Sequence, residues 1–139
     1  MGRYELREKL FQLLFRVEFY DSADIPEQED LFFTDNQEEQ PIDEESRKEI
    51  QEKFQKILEK LSELDQMLNE KTERWNTKRF GKVELAVMRL ALYEMLFDDD
   101  IHEYVALDEA VRIAKKYGQD SSGAFVNGVL VKFLKNRKN

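Results

Sequence analysis

Residues 82–97, KVELAVMRLALYEMLF, leave almost no polar face. After the opening Lys82 the only charges are Glu84, Arg89 and Glu94. A helix this apolar is stable only when other helices surround it, so the segment predicts the central helix of a bundle. Glu94 falls close to the Val83, Val87 and Leu90 stripe and requires a cationic partner such as an arginine.

The remaining segments repeat the helical period. Residues 3–19 place Leu6, Leu10, Leu13, Leu14 and Val17 on one stripe, and Phe11, Phe15 and Phe19 on a second. Two stripes exceed what one core contact uses, so the aromatic one is either buried or free for a partner. Ile50, Phe54, Ile57, Leu58, Leu61, Leu64 and Leu68 mark a long helix opening at Asp43 or Glu44. Trp75 ends that region, and Gly81 punctuates the approach to the central helix. Residues 103–117 turn Leu107, Ala110, Val111 and Ala114 inward and Asp108, Arg112, Lys115 and Lys116 outward, with Gly118 as C-cap. Ser121 or Ser122 then caps a last helix with Phe125, Val126, Val129, Leu130 and Phe133 as its stripe. Gly128 inside it costs about 1 kcal/mol of helix propensity, which points to a close approach, tight helix packing first of all. No alternating strand pattern occurs. The prediction is an all-α fold.

Residues 20–43 differ in kind. They hold both prolines, Pro26 and Pro41, and read as a loop carrying one short helix anchored by Leu31, Phe32 and Phe33. Residues 20–46 contain eleven of the 30 acidic residues and no Lys or Arg. The rest of the chain therefore sets 22 basic residues against 19 acidic ones, although the net charge is −8. From Arg112 onward only Asp120 opposes Arg112, Lys115, Lys116, Lys132, Lys135, Arg137 and Lys138. A phosphate senses charge within about 8–10 Å, so an acidic chain can still present a basic face.

Several function classes fall away. There is no cysteine and a single histidine, His102, in what reads as a surface linker, so neither a thiolate nor a multi-histidine metal site is expected. The five glycines never form a phosphate-cradling loop. Asp98, Asp99 and Asp100 lack the calcium-loop pattern. Neither an enzyme nor a cofactor is expected. No apolar run approaches the roughly 20 residues that span a bilayer, and MGRYELREKL has no apolar signal core, which places the protein in the cytoplasm.

Three stretches resemble the NusB family: LREKLFQLLF at 6–15, Trp75 with RFGKVELAVMRLALYEML, and ALDEAVRIAKKYGQDSSGAFVNGVL at 106–130. The last is the most specific, because Lys-Lys-Tyr-Gly and Phe-Val-Asn-Gly recur at the family's separation. The resemblance implies about seven helices in two packed bundles. It makes residues 1–139 a single NusB-like helical domain with an acidic insertion at about 20–46. It implies an antitermination factor that binds boxA-type single-stranded RNA with the small-subunit ribosomal protein NusE, within the RNA polymerase antitermination complex. Read-through of ribosomal RNA operons is the implied outcome.

Residue by residue, the resemblance assigns RNA contact to Arg3, Arg7, Gln12, Phe125 and Asn127, with Lys115, Lys116 and Lys132 supplying positive field. Tyr4 and Glu5 stand where the family often has arginine, which implies weaker phosphate binding and a shallower salt dependence. An exposed Phe125 can stack an unpaired base and Asn127 can read its edge, though Phe125 also fits a core position and Asn127 a packing one. Phe15, Phe19, Arg79 and Glu84 are assigned to the protein partner, and a second copy of the chain would suit the same aromatic stripe. An alternative is a family module that keeps its protein partner and has weak or lost RNA binding. Certain RNA cytosine methyltransferases also carry this fold, but they need a catalytic cysteine, which is absent here.

Overall fold

The computed structural model describes residues 1–35, 41–72 and 80–135. Among them are six α-helices, two short 3-10 helices and no strand, which meets the all-α expectation. The helices are α1 (Arg3–Val17), α2 (Ile25–Asp35), α3 (Glu44–Lys71), α4 (Lys82–Phe97), α5 (Glu103–Tyr117) and α6 (Ser122–Leu130). The chain divides into two compact units, Met1–Leu58 and Glu59–Asn139, with the boundary inside α3.

In the N-terminal unit, α1 buries Leu10, Phe11, Leu13 and Leu14, while Leu6 and Val17 stay half-exposed. The described part of the acidic stretch holds more helix than the one short helix expected. A 3-10 turn at Ser22–Asp24 leads into α2, whose eleven residues carry Pro26 in the first turn, where a missing N–H is tolerated. The reason is apolar. Ile25, Phe32 and Phe33 are buried, and each phenylalanine contributes about 1.5–3 kcal/mol on leaving water. Two cations secure these rings: Arg16 lies 5.4 Å over Phe32 and reaches Gln28, and Arg47 lies 4.8 Å over Phe33. Leu31, expected among the anchors, is exposed instead.

Asp43 opens α3 as the sequence suggested, accepting the Ser46 N–H at 3.0 Å. Hydrogen bonding from the Ser46 side chain first, and then from this N–H, holds its carboxyl below the usual carboxylate range. Ile42, Ile50, Phe54 and Ile57 complete the buried apolar set among the described residues of this unit.

In the C-terminal unit α4 packs against α5 and α6, and its residues from Leu85 to Met95 are all buried, as its composition required. Arg89 is buried here, and its guanidinium makes a fork to Asp65 of α3, Nε to Oδ1 at 2.8 Å and Nη2 to Oδ2 at 2.7 Å. His102 is more than a surface residue, because its Nδ1 accepts the Tyr104 N–H and caps α5. On α5 Ile113 is buried where Val111 was expected, and Val111 is half-exposed. Val126, Val129 and Leu130 of α6 are buried, while Phe125 and Phe133 remain half-exposed.

Candidate nucleic-acid interface

The C-terminal unit gathers most of the residues expected to meet RNA. Lys115 and Lys116 end α5, where a cation suits the helix dipole, and both are exposed. The Lys115 stem runs across Gly123 of α6, so closely that a Cβ there would stand 2.8 Å from its Cγ. Lys116 Nζ lies 5.4 Å over the Tyr117 ring. Helix α6, which packs against α5, carries Phe125, Asn127 and Gly128 further along.

Phe125 is half-exposed and meets the buried Phe80 edge to face, with ring centres 5.6 Å apart. One side of the ring is thus held by protein, while part of it remains open to a ligand. Asn127 is exposed. Gly128 departs from expectation. It is exposed, and a Cβ there would meet nothing within 4 Å, so helix packing does not explain it. Lys132 is engaged differently from the other lysines, donating from Nζ to the Lys71 carbonyl at the end of α3.

The N-terminal unit presents its three assigned residues less favourably. The Arg3 side chain is 76% exposed and pairs loosely with Glu49 at 3.6 Å. Arg7, expected as a surface cation, is only 6% exposed and is not free of protein interactions. Gln12 is half-buried and follows Arg3 by nine residues, which turns it about 180° round the helix. α1 therefore does not offer these three side chains to one surface.

The residues assigned to a protein partner also separate. Phe15 is half-buried and Phe19 is 57% exposed, with their rings T-shaped at 5.2 Å. Tyr20, also exposed, extends this surface. Sequence reasoning missed it because it lies past the helix end, outside the stripe. Arg79 lies outside the described residues. Glu84 accepts a hydrogen bond from the buried Ser122 hydroxyl, an internal tie between α4 and α6 that the sequence did not suggest.

Comparison with known proteins matches the NusB family over residues 5–135. The chain belongs to the NusB family. The transcription antitermination protein NusB of Agathobacter rectalis is 50% identical over 96% of this chain and 99% of its own length. Its counterpart in Geobacillus kaustophilus is 38% identical over 95% of each chain. Among solved structures, T. maritima NusB superposes with a TM-score of 0.85 at 33% identity, covering 99% of this chain and 93% of that one. A structure of antitermination factors NusB and NusE in complex with dsRNA shares the fold, with a TM-score of 0.75 at 22% identity over 95% and 96% of the two chains. The matched span of the NusB family takes in all described helices from α2 to α6 and most of α1. Among the described residues no helix is long and apolar enough to cross a membrane.

Proposed function

We propose that the chain is a transcription antitermination factor that binds boxA-type single-stranded RNA together with the ribosomal protein NusE. It acts in the cytoplasm, in the RNA polymerase antitermination complex, and promotes read-through, notably of ribosomal RNA operons. Binding rather than catalysis is its work, and residues 1–139 serve as one functional domain. The relatives' shared name and the family member solved with NusE and RNA support this reading.

The single observation that carries the RNA site is Phe125, half-exposed with its ring braced against buried Phe80, on a helix packed against α5, whose last turn carries exposed Lys115 and Lys116. A ring already braced by protein loses little freedom when a base stacks on it. The lysines supply phosphate attraction, and Asn127 supplies a donor and an acceptor for a base edge. Phe15 and Phe19 offer NusE an aromatic surface beside acidic α2, which suits a basic ribosomal protein.

A second reading keeps the protein partner and loses RNA affinity. The buried Arg7 and the Tyr4 and Glu5 substitutions favour it. Titrating a boxA RNA across salt, with and without NusE, separates the two. The first reading expects a linear fall of log affinity with log salt. Absence of binding at low salt, even with NusE present, selects the second.

A further inference from the structure

Helix α6 is a weak helix in a position that demands precision. It has nine residues, well short of the roughly 12–15 at which isolated helices become even marginally stable in water. Gly123 and Gly128 each subtract about 1 kcal/mol of propensity. Ser121 occupies its N-cap position, yet makes no side-chain capping bond. Its rotation and register must therefore come from contacts with other helices.

At its N-terminal end those contacts converge on Ser122, which is 2% exposed. The Ser122 hydroxyl accepts the Gln119 N–H at 2.9 Å and donates to Glu84 in the first turn of α4. Gly118 makes room for this arrangement, because a Cβ there would stand 2.5 Å from Ser122 Oγ and 2.8 Å from the Ala114 carbonyl. Three residues on, and so on the same side of α6, Phe125 meets Phe80, which precedes Glu84 by four residues. Two points of one segment thus grip two points of the other: Glu84 holds Ser122, and Phe80 braces Phe125.

We infer that Ser122, through its hydrogen bond to Glu84, is a positioning residue that sets how Phe125 presents its ring to an RNA base. The inference rests on the reading of Phe125 as an RNA contact. It adds that Glu84 serves the RNA side of the molecule as well as the partner assignment that resemblance gives it. Ser122 touches no RNA itself. Its loss frees the start of α6 to turn, so the stacked ring leaves its braced orientation while the lysine field stays in place.

The test is a double-mutant cycle on the full chain, read as affinity for a short boxA-type RNA at fixed low salt. Ser122→Ala should weaken binding about three- to tenfold, and Phe125→Ala about tenfold or more, from the usual worth of a stacked base. In the Phe125→Ala background, Ser122→Ala should change affinity less than about twofold, since both act through one ring. The slope of log affinity against log salt should be unchanged in Ser122→Ala, because no phosphate contact is lost. Gly118→Ala, whose methyl group presses on the Ser122 hydroxyl, should show the same dependence on Phe125 and carries the test if Ser122→Ala does not fold. Additive losses, a changed salt slope, or wild-type affinity in both Ser122→Ala and Gly118→Ala would overturn the positioning role. Wild-type affinity in Phe125→Ala would instead remove the RNA site, and this inference with it.

Discussion

Helix α2 in the N-terminal unit and helix α6 in the C-terminal unit solve opposite problems. α2 is strongly acidic and belongs to a stretch without a single Lys or Arg, yet it is fixed by Phe32 and Phe33 in the core and by Arg16 and Arg47 over their rings. α6 has no charged residue at all and is short and glycine-containing, yet it displays a half-exposed ring and packs against α5, whose last turn carries exposed lysines. Charge alone would have made α2 the interactive element and α6 the inert one. The structure gives α2 a strong internal anchor and leaves α6 with the open aromatic and amide groups.

The largest effect should come from breaking the α2 anchor. Phe33→Ala removes a fully buried ring and should cost about 3–5 kcal/mol of stability, measured by denaturant unfolding. A loss below about 1 kcal/mol would mean that α2 is held by its cations rather than by its core. If the acidic stretch also shields the basic residues from RNA, deleting residues 20–46 is no clean test of it, since that removes Phe32 and Phe33 with the acids. Neutralising exposed carboxylates, as in Asp24→Asn with Glu27→Gln and Asp30→Asn, tests it without touching the core.

On the other side of the comparison, Phe125→Ala should cost about 1–3 kcal/mol of RNA affinity and little of NusE affinity. Equal losses for both ligands would mean that α6 serves the fold generally rather than RNA. The carboxylate triple variant should act the other way and more weakly. RNA affinity should rise about two- to threefold at low salt, and NusE association should slow by a similar factor, both effects fading as salt screens them. No change in either would make the acidic stretch electrostatically silent.

The smallest effect concerns pH. Glu29 is raised above its ordinary 4.5, by burial first and then by Asp30, with Arg47 opposing. Its favourable contribution is therefore present below 4.5 and is lost as pH rises through the raised value. Glu29→Gln should be neutral or slightly stabilising at pH 7. Asp43 is lowered from 3.8, so its cap contributes above that value and fades as pH falls below it. Stability curves for Asp43→Asn and wild type should converge in acid and separate towards neutrality; separation only in acid would contradict the sign.

Much of the fold was legible because period and polarity agree along α3, α4 and α5. The apolar circumference of 82–97 announced a buried helix, and burial runs unbroken from Leu85 to Met95. α2 was under-read because prolines and dense charge mimic a loop, whereas Pro26 sits harmlessly in a first turn and three apolar side chains suffice to dock it. Long-range pairing left no trace in one sequence. Arg89 with Asp65, and Ser122 with Glu84, are 24 and 38 residues apart, with no spacing that betrays them. Of the candidate RNA residues, Phe125 and Asn127 lie on α6, and Lys115 and Lys116 lie at the end of α5, against which α6 packs. Arg7 was misjudged for a physical reason: a charged side chain on an amphipathic helix is exposed by default, and only tertiary context buries it.

The most direct measurement is photocrosslinking of a boxA-type RNA carrying 4-thiouridine, with NusE bound, followed by mapping of the attached peptides. Attachment should fall within residues 115–132, centred on Phe125 and Asn127. Attachment confined to α1 and α2, with none in α5 or α6, would contradict it.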